Sequence, residues 1–169
     1  QNIPKATEKK HMQLAIKSIK KIFGQRPLGW YTGRCSPNTR DLVIEEGGFL
    51  YDSDSYSDDL PYWEIRGKKK QLIIPYTLDN NDMRFATNQG FNSGDQFYTY
   101  LKDSFDALFN EGKSKPKMMS VGLHCRLIGR PGRIQSLKKF LDYVLKHQEV
   151  WICKRIDIAK HWIKNYSDT

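Results

Sequence analysis

Long apolar runs are missing from these 169 residues. None approaches the roughly 20 consecutive residues that a helix needs to cross a bilayer, so no membrane association is expected. Cysteine is scarce as well. Cys35, Cys125 and Cys153 are odd in number and lack CxxC or CxxxC spacing, which argues against a zinc ribbon or a disulfide framework and favours a reducing cytoplasm. The opening residues, QNIPKATEKK, are polar and carry no apolar h-region of a signal peptide. Internal repeats and low-complexity segments are absent. The chain is also well short of the roughly 250 residues of a complete (β/α)8 barrel, so one domain or part of one is expected. Acidic residues are outnumbered, 19 to 28, for a formal charge of +9. A clustered basic face would point to a polyanion. The lysines are instead scattered over predicted helix faces, apart from a run at Lys68 to Lys70 read as a hairpin turn. They read as solvated surface, and no nucleic-acid partner is expected.

What is present is an alternation of helical and extended patterns. Met12, Ala15, Ile16, Ile19, Ile22 and Phe23 recur at three and four, which predicts a helix over 8–23 with Thr7 as its N-cap and Gly24 and Pro27 closing it. LGWYT reads as a strand, SPNTRDLVIEEGG as a turn plus helix, and FLYDSD as the next strand. Residues 62–77 read as a hairpin around the basic turn. DNNDMRFATNQGFNSG reads as a long polar loop without periodicity. Ser93 or Asp95 then caps a helix through Phe109 that ends at Gly112. MMSVGL reads as a buried strand. A helix follows over about 132–147, with Pro131 near its first turn and Ile134, Leu137, Leu141, Val144 and Leu145 as its core stripe. VWIC reads as a last strand leading into a terminal helix with Ile156, Ala159, Trp162 and Ile163. The alternation implies an α/β fold with parallel strands and crossover helices.

Three polar clusters each follow an apolar run: GWYTGRCSPNTR at 29–40, LYDSDSYSDDLPYW at 50–63 and VGLHCRLIGRPGR at 121–133. Carboxyl ends of parallel strands are where substrates bind, so Arg34, Asp52, Asp54 and His124 are expected to converge on one crevice. Arg34 could orient a carboxylate or hold a carbonyl through its planar fork, or simply pair with a neighbouring Asp. Asp52, Asp54, Asp58 and Asp59 could bind a divalent cation, but they lack EF-hand spacing and could equally cap turns and balance arginines. His124 could protonate a leaving group or be a satisfied core residue. Arg126, Arg130 and Arg133 make the loop after it rich in donors for an anionic or carbonyl group. His124 has no HxxxH partner, so no metal and no other cofactor is expected.

These three clusters, with PYTLDNNDMRF and the VWICKRIDIAKHW stretch, resemble the carboxyl-terminal part of the polysaccharide deacetylase superfamily, most closely its metal-independent allantoinase branch. The resemblance covers nearly the whole chain. It implies a partial, distorted (β/α) barrel with an inserted β-hairpin, residues 1–169 being the carboxyl-terminal portion of one catalytic domain. It also implies hydrolysis of a carbon-nitrogen bond other than a peptide bond, with ring opening of a cyclic amide expected first and N-deacetylation of a sugar second. An inactive, partner-binding remnant is the remaining alternative. By the same resemblance, Arg34 matches an R-x-x-P type motif that orders an active-site carboxylate. Asp52, Asp54, Asp58 and Trp63 match the border of the substrate groove, and His124 matches the general acid, with Arg126 and Arg130 beside it as binding groups. The motifs that supply the catalytic base and the deacetylases' metal-binding histidines lie outside these residues. The partners implied are a small-molecule substrate, the missing amino-terminal half and, because an unclosed arc of strands exposes edges, a second copy of the chain.

Overall fold

A computed structural model describes residues 2–167. The chain forms two compact units, one of residues 1–75 with 153–169 and the other of residues 76–152.

In the first unit, helix α1 (Lys5–Phe23) starts before the predicted Thr7 cap. The Pro4 carbonyl accepts hydrogen bonds from the amides of Thr7 and Glu8 at 2.9 and 3.1 Å, which winds the first turn ahead of Thr7. Gly24, in the left-handed region, closes the helix by donating to Lys20 O. Only Met12 of the predicted stripe is fully buried, against Leu42, Val43 and Phe49, with Ile16 partly so. Ile22 and Phe23 face outward.

Strand β1 (Gly29–Trp30), helix α2 (Thr39–Glu46), strand β2 (Tyr51–Asp52) and the hairpin of β3 (Tyr62–Arg66) and β4 (Lys69–Ile73) follow. The sheet order is β1-β2-β4-β3, with β1, β2 and β4 parallel and β3 antiparallel to β4. The hairpin is thus joined to the sheet through β4, whose Ile73 pairs with Asp52. Its turn is Gly67–Lys68, so Lys69 and Lys70 belong to the strand and not to the turn. Gly29 has no room for a side chain, since a β-carbon there would run into the Tyr51 ring. LGWYT supplies a strand of only two residues because the next amides, those of Thr32 and Gly33, leave the ladder for the Asp54 carboxylate. Leu72, Ile73 and Ile74 are wholly buried.

The second unit packs α3 (Gly94–Gly112) against α5 (Pro131–Val144), with the short helix α4 (Cys125–Ile128) ahead of α5. Ser93 caps α3 by accepting from the Gln96 amide, and Phe97, Leu101 and Phe105 form its buried face. Pro131 opens α5, as expected. Its buried row is Ser136, Phe140 and Val144, one residue every four, while Leu141 and Leu145 point outward, Leu145 with 69% of its surface exposed. Phe140 takes the inner position because it meets Phe105 edge to face. The polar loop contains a 3-10 turn at Asp82–Ala86.

The chain then returns to the first unit with its last helix, α6 (Arg155–Asn165). The Arg155 guanidinium donates to Ser53 Oγ, Ile74 O and Pro75 O at 2.9–3.1 Å, tying that helix start to the ends of β2 and β4.

Two expected strands do not form among the described residues. MMSVGL contributes only Gly122, in a single parallel bridge to Asn81, because the chain opposite turns at once into the 3-10 helix and offers no further ladder. VWIC is irregular, with Trp151 and Ile152 mostly exposed.

Candidate active-site groups

In the second unit the bridge between Asn81 and Gly122 is what builds the site. Asp82 N donates to Gly122 O at 2.9 Å and Gly122 N to Asn80 O at 2.7 Å, which fixes Asp82 beside the residue two places after Gly122, His124. Gly122 is needed for that approach, since a β-carbon would strike the Asn81 side chain and the Tyr76 hydroxyl. Asn81 Oδ1 accepts from Met83 N and starts the 3-10 turn, directing the Asp82 side chain inward.

Asp82 has no exposed surface. Its Oδ2 accepts from the amides of His124 at 2.7 Å and Ile128 at 3.1 Å, and its Oδ1 lies 2.7 Å from His124 Nδ1. A carboxylate is an acceptor, so the ring carries its Nδ1 proton toward Asp82. The outer nitrogen, Nε2, has no partner among the described residues, and the side chain is 28% exposed. Such a ring can take or give a proton at Nε2 while its orientation and tautomer stay fixed. His124 is also the residue that precedes α4, so Arg126 and Arg130, both exposed, follow in the same short stretch. Arg133 is used otherwise: it lies over the Phe85 ring at 4.5 Å and reaches Leu127 O.

In the first unit the acidic segment is organised by Arg40, the last residue of the first polar cluster. Arg40, on the first turn of α2, donates to Asp52 Oδ2 at 2.5 Å and to Asp54 O at 2.9 Å, and its Nε lies 3.2 Å from Glu64 Oε2. Asp52 Oδ1 accepts the Asp54 amide at 2.9 Å. Burial raises the Asp52 pKa to about 6; the Asp54 amide and then Arg40 pull it down, and the charges of Asp54 and Glu64 add to the rise. Asp52 has no exposed surface and both its oxygens are engaged within the loop. The Asp54 carboxylate accepts the Thr32 and Gly33 amides at 2.8–2.9 Å. Arg34 follows directly, exposed and with no ion pair or hydrogen bond among the described residues. Asp58 is exposed and accepts the amides of Asp59 and Leu60 in its own turn. Trp63 donates from Nε1 to Tyr166 O at 2.6 Å, with Lys70 Nζ 4.7 Å from its ring centre.

The two groups missed in the sequence, Asp82 and Arg40, act through partners 42 and 12 residues away. The only signal for Asp82 was its place in PYTLDNNDMRF, and for Arg40 its place at the end of the first polar cluster. Among the described residues no three His, Cys, Asp or Glu side chains are arranged to hold a metal ion. Nor is any helix among them long and apolar enough to cross a membrane.

No family model matches the chain. A Schizosaccharomyces pombe protein named as a polysaccharide deacetylase is 42% identical over 179 aligned positions, covering 96% of this chain and 56% of the relative. Among solved structures, a Pseudomonas aeruginosa PAO1 polysaccharide deacetylase superposes with a TM-score of 0.97 at 56% identity, and the allantoinase PuuE with 0.96 at 57%, each covering all of this chain and 57% of the other. A Mycobacterium smegmatis protein at 24% identity and a TM-score of 0.81 shares the fold. The chain thus spans little more than half the length of the relatives it matches. By sequence and fold together it is similar to the carboxyl-terminal portion of polysaccharide deacetylases and of the PuuE allantoinase.

Proposed function

We propose that this chain is the carboxyl-terminal portion of one catalytic domain that hydrolyses a carbon-nitrogen bond other than a peptide bond, with a small cyclic amide such as allantoin as substrate. The observation that carries the proposal is the Asp82–His124 pair, a ring held at Nδ1 by a buried carboxylate with Nε2 turned to an exposed side. In the reaction a water oxygen bonds to the amide carbon, the carbon-nitrogen bond breaks, and the departing nitrogen takes a proton from His124 Nε2. Asp82 balances the charge of the ring that must be protonated just before that transfer and keeps its direction constant. The water's own proton passes to a base, which the family resemblance puts in the amino-terminal motifs.

Arg34, Arg126 and Arg130 are exposed donors suited to an amide carbonyl or an anionic group, and fixed donors at a developing oxyanion contribute most to such a rate. Asp54, Asp58 and Trp63 are proposed to border the substrate groove. A second reading, N-deacetylation of a sugar, is favoured by the name given to the fungal and Pseudomonas relatives, while the PuuE likeness favours the cyclic amide. The amino-terminal half and a second copy of the chain are the proposed partners. A reducing cytoplasm is the proposed location, which agrees with three free thiols, two of them exposed.

The experiment is turnover of allantoin and of an N-acetylated amino sugar by the chain joined to the amino-terminal half of its own gene product. Ring opening of allantoin, abolished by His124→Ala, is expected. Deacetylation without ring opening would select the second reading, and no turnover of either would remove the hydrolase assignment.

A further inference from the structure

We infer that Arg40 is a positioning residue for the loop that carries Arg34. Its role as a holder of the loop stands on geometry alone, and only the consequence for substrate rests on the hydrolase reading above. Arg40 is 17% exposed, and its three guanidinium nitrogens serve three different acceptors. One bonds Asp52 at the end of β2, one the Asp54 carbonyl, and the third Glu64 on β3. Two of these contacts act on the same turn from opposite sides. Arg40 grips the Asp54 carbonyl directly, and it balances the Asp52 carboxylate that holds the Asp54 amide. The backbone of Asp54 is therefore fixed at both its N–H and its C=O.

That fixed backbone aims the Asp54 carboxylate at the amides of Thr32 and Gly33. Gly33 has φ 70°, in the left-handed region, so the chain turns sharply there and presents Arg34 next. From the far side, Glu8 of α1 accepts from Ser36 Oγ at 2.6 Å and from Thr39 Oγ1, which fastens the other end of the same loop to the start of α2. Arg34 lies between two anchored ends and makes no bond of its own among the described residues. A side chain whose backbone is clamped and whose head is free is preorganised for a ligand. A lysine cannot replace Arg40 here. Its single ammonium could neutralise Asp52 but could not span the Asp54 carbonyl and Glu64 at once.

The test is amide hydrogen exchange by NMR on the full chain, comparing wild type, Arg40→Lys and Asp54→Asn. In Arg40→Lys the Thr32 and Gly33 amides should exchange about 10-fold faster, the scale of losing a hydrogen bond to a charged group, while Leu72, Ile73 and Ile74 keep their protection. Asp54→Asn, which leaves the Arg40–Asp52 pair in place, should speed the same two amides and no others. Equal acceleration at Leu72 to Ile74 would show that Arg40 serves global stability only and would overturn the inference. So would unchanged Thr32 and Gly33 exchange in either variant. In the joined enzyme, Arg40→Lys should raise KM for the substrate several-fold more than it lowers kcat. Absence of any turnover would count against the hydrolase reading, and the exchange result would still decide the role of Arg40.

Discussion

Asp52 and Asp82 are both carboxylates without exposed surface, one ending a strand and the other opening a 3-10 turn, yet they are used in opposite ways. Asp52 faces a permanent cation, Arg40, and spends its other oxygen on the backbone of its own turn. Both its oxygens are engaged inside the fold, and its product is a fixed loop. Asp82 faces an imidazole and two amides, and the ring it holds has a second nitrogen directed away. Its product is a ring of fixed orientation with one nitrogen left open. A buried acid becomes chemically useful when its partner titrates and keeps a free atom, and it becomes architectural when its partner is an arginine with every nitrogen engaged.

The largest effect that separates the two should come from the ring itself. In the joined hydrolase, His124→Ala should lower turnover about 10² to 10⁴ fold, the usual scale for losing a general acid, with substrate affinity changed much less. Steady-state kinetics on the purified variant check this. Removing the cation on the other side should cost structure instead. Arg40→Ala strands the Asp52 carboxylate in the interior and should destabilise the first unit by about 3–5 kcal/mol at neutral pH. Denaturant unfolding at pH 7 and pH 5 would sharpen the point, since the loss should shrink at the lower pH, where Asp52 can take up a proton.

Asp52 also predicts a pH signature of known sign. Its pKa is raised from the ordinary value of 3.8 to about 6, so between those values the folded chain holds a proton that the unfolded chain has released. The stabilisation from this group is complete below about pH 4 and is lost as the pH rises through about 6. Relative to Asp52→Asn, the wild type should therefore lose about 3 kcal/mol across that window, since a tenfold change in proton affinity corresponds to about 1.4 kcal/mol. A stability difference that stays flat from pH 4 to 7 would show that Asp52 is not titrating as described. The smallest effect is expected at Asp58. It caps only its own exposed turn, and Asp58→Ala should change stability by no more than about 0.5 kcal/mol.

Local features were legible in the sequence. Of the two caps expected for the helix through Phe109, Ser93 or Asp95, it is Ser93 that caps α3. His124 stood out as a histidine at the end of an apolar run. What could not be read was anything set by a distant partner. The strands are too short for alternation to register, two residues each in β1 and β2, and after β1 Asp54 draws the Thr32 and Gly33 amides out of the ladder. MMSVGL has strand composition but lacks a partner row beyond Asn81. Asp82 sits in an aperiodic polar stretch, and only the Asn81–Gly122 bridge gives it meaning. Arg40 resembled any helix-start arginine until its three acceptors, spread over two strands and a turn, were in view.

The most direct measurement is the nitrogen chemical shifts of the His124 ring, read by ¹⁵N NMR in the wild-type chain and in Asp82→Ala. The account predicts that neutral His124 carries its proton on Nδ1, with Nε2 unprotonated, and that this preference disappears when the carboxylate is removed. A ring protonated on Nε2 in the wild type, unchanged by Asp82→Ala, would contradict it.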